Sequence, residues 1–283
     1  MNTILKKCLA SFLLAIVAAN IGNAHAEKST VLVQSTTSTA NSGLYDYLLP
    51  LFEQQHNIKV NVVAVGTGQA IRNARNCDAD VLLVHAKDAE DAFVAEGFGV
   101  ERFDVMYNDF VIIGPLSDPA GIRGIATVKS ALQKIMDTKT LFASRGDDSG
   151  THKKELSLWQ AINLDIENVN PTWYRSTGSG MGATINTAVG LGAYTITDRA
   201  TWISFKNKSD YQILFESDPI LFNQYGVILV NTKQCPSVNH QAGQQFIDWL
   251  LSDEAQTKIA EFNIAGQQLF YPNAQPQPLP IKK

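Results

Sequence analysis

Short runs of apolar, β-branched residues alternate with helix-period segments through the first part of the chain. Val31-Leu32-Val33 reads as a buried strand, and Gly43 to Gln55 as a helix that Pro50 must start, kink or interrupt. Ile58 to Val65 and Val81 to Val84 read as strands, and Ala86 to Glu96 as a helix. Phe110 to Ile113 is a further strand, closed by Gly114-Pro115. Strands alternating with helices predict a parallel sheet covered on both faces.

Past Pro115 the pattern restarts. It predicts a helix over Val128 to Met136, a strand over Leu141 to Ala143 and a helix over Thr151 to Ala161. Weaker strand signals lie at Gly192 to Thr195 and Ile213 to Phe215, and a clear one at Tyr225 to Val230. Helices over Gln241 to Leu251 and Glu254 to Phe262 follow, then a Pro- and Gln-rich tail after Tyr271 that reads as loosely ordered. The late strand and helices either extend the second unit or return to the first. Return gives two lobes joined by two crossings, near Gly114-Pro115 and Asn223 to Tyr225, an arrangement suited to ligand-driven closure.

A length of 283 residues fits two such lobes, and 45% hydrophobic with 18% charged residues supplies an ordinary soluble core. The formal charge of -4 argues against a nucleic-acid surface. At the N-terminus Lys6 and Lys7 precede the apolar run Leu9 to Ala19. Ala24-His25-Ala26 then supplies the small residues of a cleavage site, so residues 1–26 read as a secretory leader cut after Ala26. Cys8 leaves with it, and the loss of two lysines takes the charge to -6. An anion bound by such a chain must be attracted locally. Cys77 and Cys235 then face an oxidising compartment, where a bridge and two separate thiols are both open readings. His56, His85, His152 and His240 are scattered, so no metal site is expected, and no cofactor motif is present.

Three strands end in small hydroxylated or glycine residues just before a helix: Ser35-Thr36-Thr37-Ser38, Gly66-Thr67-Gly68, and Ser144-Arg145-Gly146-Asp147-Asp148-Ser149-Gly150-Thr151. Free backbone N–H groups at helix starts, hydroxyl donors and glycine's lack of bulk together suit an anion. The second segment lacks the third glycine of a dinucleotide fingerprint and the Lys-Ser/Thr ending of a nucleotide phosphate loop. The third is the most specific, because Arg145 adds a planar cation to a row of neutral donors. One of Asp147 and Asp148 is expected to orient that arginine. A fourth loop, Gly178-Ser179-Gly180-Met181-Gly182, is a candidate for closing the site, and Tyr194, Asp198 and Arg199 follow in a region that could line the cleft. Asp147, Asp148, Ser149 and His152 admit a serine hydrolase, but the spacing departs from Gly-x-Ser-x-Gly, and neighbours in sequence rarely form a triad.

With Val65-Gly66-Thr67-Gly68-Gln69-Ala70, Asp78 to Ala86, Met106 to Phe110, Ser144 to Glu155, Gly180 to Thr184 and Asn223 to Val227, the chain resembles the periplasmic tungstate-binding component of Tup-type ABC transporters. The likeness runs from about Val31 to Phe270. Ser35 replaces the threonine usual in that family, and Cys77 stands where glycine is expected. The resemblance implies an α/β fold of two lobes, residues 27–114 with 224–283 and residues 115–223, with the ligand in the cleft and a permease as partner. It implies a periplasmic, monomeric, non-catalytic protein that binds tungstate, with molybdate, sulfate or phosphate as alternatives. Arg145 is then the main cation, and Thr37, Ser38, Thr67, Gly68, Ser149, Gly150 and Thr151 are the donors, with Gly178, Ser179 and Gly180 as possible closing groups.

Overall fold

The structure, a computed structural model, describes residues 29–169 and 171–274; the leader read over 1–26 and the chain from residue 275 on lie outside them. The first part runs β1 (Ser29–Thr36), α1 (Thr37–Asn41), α2 (Leu44–His56), β2 (Ile58–Val65), α3 (Thr67–Arg75), β3 (Val81–Val84), α4 (Lys87–Ala95) and the long β4 (Gly99–Pro115). The second holds α5 (Val128–Thr138), β5 (Phe142–Ser144), α6 (Gly150–Gln160), α7 (Ile166–Val169), β6 (Tyr174–Ser176), α8 (Met181–Leu191), β7 (Thr195–Asp198), α9 (Arg199–Ser204) and β8 (Tyr211–Phe215). The chain returns through β9 (Phe222–Val230) to α10 (His240–Leu250) and α11 (Asp253–Glu261). Short strands β10 (Asn263–Ile264), β11 (Gln267–Gln268) and β12 (Tyr271–Pro272) follow, the last pairing with β4 at the start of the stretch read as loose.

The strand order is β12-β4-β9-β3-β1-β2, with β7 and β8 joining β4. β1 pairs in parallel with β2 and β3, and β3 is buried at all four positions, as a strand covered on both faces must be. The all-parallel expectation fails at β4 and β9. These antiparallel neighbours carry the chain out and back, which makes the sheet mixed. β4 pairs with β9 as far as Asp109 and with β7 from Phe110 to Ile113. One strand therefore serves two cores: Met106 packs with Val33, Leu83, Phe52 and Phe246, and Phe110 packs with Phe142, Trp159 and Ile196. A side chain such as Phe52 or Phe142, fully withdrawn from water, contributes about 1.5–3 kcal/mol.

Three local departures have clear causes. α2 runs through Pro50, which sits on the exposed face, where water can bond the carbonyl that the missing N–H leaves. β7 begins at Thr195 rather than Gly192, because Gly192 adopts a left-handed φ of 67° and ends α8. Cys77 and Cys235 form a disulfide, tying the turn after α3 to the loop after β9 across 158 residues of sequence. Cys77 has a φ of 66°, which explains why glycine is the expected residue there.

Candidate functional site

β1 and β2 run almost directly into helix starts, β5 leads to one through the loop Arg145 to Ser149, and two of these starts meet face to face. The Gly150 N–H donates to Thr67 Oγ1 at 3.1 Å, and the Gly68 N–H donates to the Asp148 carbonyl at 3.4 Å. Thr67 is fully buried. Because its oxygen accepts from Gly150, its own hydrogen remains free to donate. Ser149 repeats the logic: it caps α6 by accepting from the His152 N–H at 3.2 Å and keeps its hydroxyl hydrogen. Thr151, on the first turn of α6, is fully buried and its Oγ1 has no partner. A buried hydroxyl left unbonded costs about 1–3 kcal/mol, so this donor is fit for something that arrives later.

Arg145 follows β5 and is 3% exposed. Its Nε and Nη2 donate to one oxygen of Asp147, at 3.1 and 2.5 Å, while the other oxygen of Asp147 accepts from the Ser149 N–H at 3.3 Å. Asp147 is therefore the acid that orients the arginine, and it occupies only one edge of the fork. The Nη1 side takes no part in this pairing. Asp148 turns the opposite way, with a left-handed φ of 58°, to Arg72 at 3.0 Å and to Lys153. Against the burial that raises its pKa, Lys153 and Arg72 hold this carboxyl below the usual range. Neither acid is offered to the site as an acceptor. Gly146 makes the turn possible: its φ is 58°, and a side chain there would collide with Ser176.

At the end of β1, Ser35 is a structural hydroxyl, donating to the Leu83 carbonyl at 2.7 Å and bonded to the Tyr45 phenol. Thr36 caps α1, accepting from the Thr39 N–H at 3.4 Å. Thr37 is partly exposed, whereas Ser38 is buried between Thr36 Oγ1 and His85 Nε2, both at 3.1 Å. Gly178 and Gly180 are exposed, and the Ser179 N–H donates to the Arg145 carbonyl at 3.1 Å, so this loop braces the arginine's backbone. Tyr194 points elsewhere, to Asp118, and Arg199 binds Asp109 and Glu216. His152 Nδ1 accepts from the Asp148 N–H, and Ser149 Oγ bonds the His152 backbone N–H rather than the ring.

The residue that sequence reasoning missed is His85, at the end of β3. A side chain at position 150 would press on its ring at 2.9 Å, which places the imidazole against the start of α6. Its partners come from Ser38 and Asn223, so no local motif signals it. Beside it opens a cavity of about 520 Å3, whose wall includes Lys87, Lys153, Lys154, Phe110 and Asn223. Among the described residues no cluster of His, Cys, Asp or Glu is able to hold a metal ion, and no helix is long and apolar enough to cross a membrane.

The sequence profile of the PBP superfamily domain matches residues 23–254. The tungstate-binding protein TupA of Peptoclostridium acidaminophilum is 47% identical over 251 residues, 87% of each chain. The chain belongs to the TupA family within the PBP superfamily. The solved tungstate-binding protein TupA from Desulfovibrio alaskensis G20 superposes with a TM-score of 0.76 at 47% identity, over 87% of this chain and 100% of that one. The tungstate ABC transporter protein from Geobacter sulfurreducens gives 0.75 at 46% identity, over 82% and 98%. The fold is thus the two-lobed periplasmic-binding fold, with β4 and β9 as the strands that pass between lobes. Two of these relatives are named as tungstate-binding proteins and one as a tungstate ABC transporter.

Proposed function

We propose that this protein captures tungstate between its lobes and delivers it to the membrane permease of an ABC importer, acting as a monomer in the periplasm after its leader is removed. The ligand is held by Arg145 through its open edge, and by Thr37, Ser38, Thr67, Gly68, Ser149, Gly150 and Thr151. The lobes hinge on the β4–β9 ribbon, and β4 passes into the second lobe at Phe110, where its partner changes from β9 to β7, a few residues before the Gly114-Pro115 crossing expected from the sequence. The observation that carries this reading is the convergence of hydroxyls whose hydrogens are unclaimed, at Thr67, Ser149 and Thr151, on a buried arginine. Hydrogen bonds to a charged ligand are worth about 1.5–3 kcal/mol each, so a handful reach the ~12 kcal/mol of nanomolar binding after closure is offset. Closure is supported by the Thr67–Gly150 and Gly68–Asp148 contacts, which link elements of the two lobes. Calorimetry against tungstate, molybdate, sulfate and phosphate tests the proposal: tungstate is expected to give the tightest binding, and no heat with any of the four would end it.

A second reading has one observation in its favour. Ser38, His85 and Asn223 are connected like a nucleophile, a base and an orienting group. Burial, with Arg145 pushing the same way against Asp198 and Asn223, lowers the His85 pKa to about 4. That is too weak a base for chemistry at neutral pH, where a matched base sits near 7. Ester turnover abolished by Ser38→Ala would favour this reading; none is expected.

A further inference from the structure

Thr67 and Ser149 each accept a backbone N–H and keep a hydrogen for the ligand, but Ser38 is placed differently. It is the end of a buried chain. The Asn223 Nδ2 donates to Asn108 Oδ1 at 2.7 Å, which turns Asn223 Oδ1 toward His85 Nδ1 at 3.1 Å. That oxygen can only accept, so the proton of a neutral imidazole lies on Nδ1. Nε2 then carries a lone pair, and the Ser38 hydroxyl must donate to it across 3.1 Å. In this direction Ser38 shows an oxyanion only oxygen lone pairs, which repel it. At the far end, Asn108 Nδ2 is buried and makes no hydrogen bond of good geometry, although the Tyr225 hydroxyl lies beside it.

We propose that His85 is a positioning residue of the oxyanion site, and that the chain Asn108–Asn223–His85–Ser38 reverses its hydrogen-bond direction when the dianion binds. The proposal rests on the reading of the site given above. With both amides rotated, Asn108 Nδ2 donates to Asn223 Oδ1, and Asn223 Nδ2 donates to His85 Nδ1. His85 Nε2–H then donates to Ser38 Oγ, and the Ser38 hydrogen turns to the ligand. Asn108 Oδ1 comes to lie near the Tyr225 hydroxyl, which interacts with both amides and is able to donate to it. The imidazole changes tautomer without changing charge. While the cleft is open, Nε2 gains a proton from water and Nδ1 returns one. The charged and titratable groups around the ring are Arg145, Asp198 and Tyr225, which interacts with it at 4.8 Å between centroids. Burial and Arg145 favour the neutral ring, so reversal rather than protonation is the route open to it.

Nitrogen-15 NMR of the full chain with labelled histidine, the His85 signals assigned by their loss in His85→Gln, reads the tautomer directly. At pH 7.5 the proton is expected on Nδ1 without ligand and on Nε2 with saturating tungstate. In parallel, His85→Leu should weaken tungstate binding about tenfold in the parent and hardly at all in Ser38→Ala, because the two act through one contact. His85→Gln, whose amide is able to donate to Ser38, should recover most of the loss. An unchanged tautomer, protonation of both nitrogens on binding, or a His85→Leu effect that persists without Ser38 would each overturn the relay. A parent that does not bind tungstate would instead overturn the functional reading beneath it.

Discussion

The Thr36–Thr39 stretch and the Arg145–Thr151 stretch start from the same plan, a strand ending in hydroxyls at a helix start, yet their side chains are wired in opposite ways. In the first, the hydroxyls bond one another: Thr36 Oγ1 lies 2.7 Å from Thr39 Oγ1 and 3.1 Å from Ser38 Oγ, and Ser38 continues to His85. In the second, a buried cation is oriented by Asp147, and Thr151 Oγ1 stands unpartnered. A hydroxyl-rich helix start is therefore not by itself a set of free donors. What matters is which hydroxyls already accept from the backbone, leaving their hydrogens, and which are tied to a neighbour.

The largest expected effect comes from the charged stretch. Arg145→Glu should abolish tungstate binding, and Arg145→Lys, which keeps charge but loses the planar fork, should weaken it about tenfold or more in calorimetry. If both variants fold and bind like the parent, the charged stretch is not where affinity resides.

Next comes selectivity, which follows from the acids being occupied. Asp147 is engaged by Arg145 and Ser149, Asp148 by Arg72 and Lys153, and Asp198 by Thr201, so none is offered as an acceptor to a protonated anion. Phosphate keeps a proton near neutral pH, whereas tungstate is a bare dianion. Phosphate should therefore bind at least about a thousandfold more weakly, ~4 kcal/mol, and tungstate affinity should be nearly flat from pH 7 to 9. Micromolar phosphate competition would show that an acid turns inward.

A smaller effect concerns stability behind the charged stretch. Glu155 on α6 is buried, bonded to Tyr174 and Trp159, and burial pushes its pKa up to about 7 despite those bonds. A folded-state pKa raised above the ordinary 4.5 means full stability below that value and a loss as pH rises through about 7. Glu155→Gln cannot ionise, so its unfolding midpoint should fall less than the parent's between pH 5 and 8, a difference of at most ~3 kcal/mol. Some dependence should survive, because burial also raises Glu90, beside Arg102, to about 7. Equal slopes for the two proteins would contradict the assignment.

The smallest effect tests closure. Asp148→Asn weakens the Arg72 and Lys153 pairs, which are about half exposed and so worth little, ~1 kcal/mol at most. Stopped-flow dissociation of tungstate should quicken a few-fold with little change in association.

How far the sequence revealed all this depends on range. The buried strands were legible because continuous runs such as Val81 to Val84 need no partner to be recognised, and the Arg145 loop because its donors are consecutive. The first half of β4 was not, since Glu101, Arg102 and Asp104 break the apolar pattern while Arg102 is held by Glu90 and Asp104. The choice between Asp147 and Asp148 turned on a left-handed backbone at Asp148, which no side-chain pattern records. His85 was hidden for the plainest reason: its partners lie 47 and 138 residues away.

Tungstate is expected at one place, the meeting point of the helix starts at Ser38, Thr67 and Thr151 with Arg145. The anomalous signal of tungsten in crystals of the tungstate-loaded protein locates it without reference to any variant. A single strong peak within hydrogen-bonding reach of Arg145, Thr67 and Thr151 is the predicted result. A peak in the lysine-lined cavity beside Lys153 and Lys154 instead, with none at Arg145, would contradict the account.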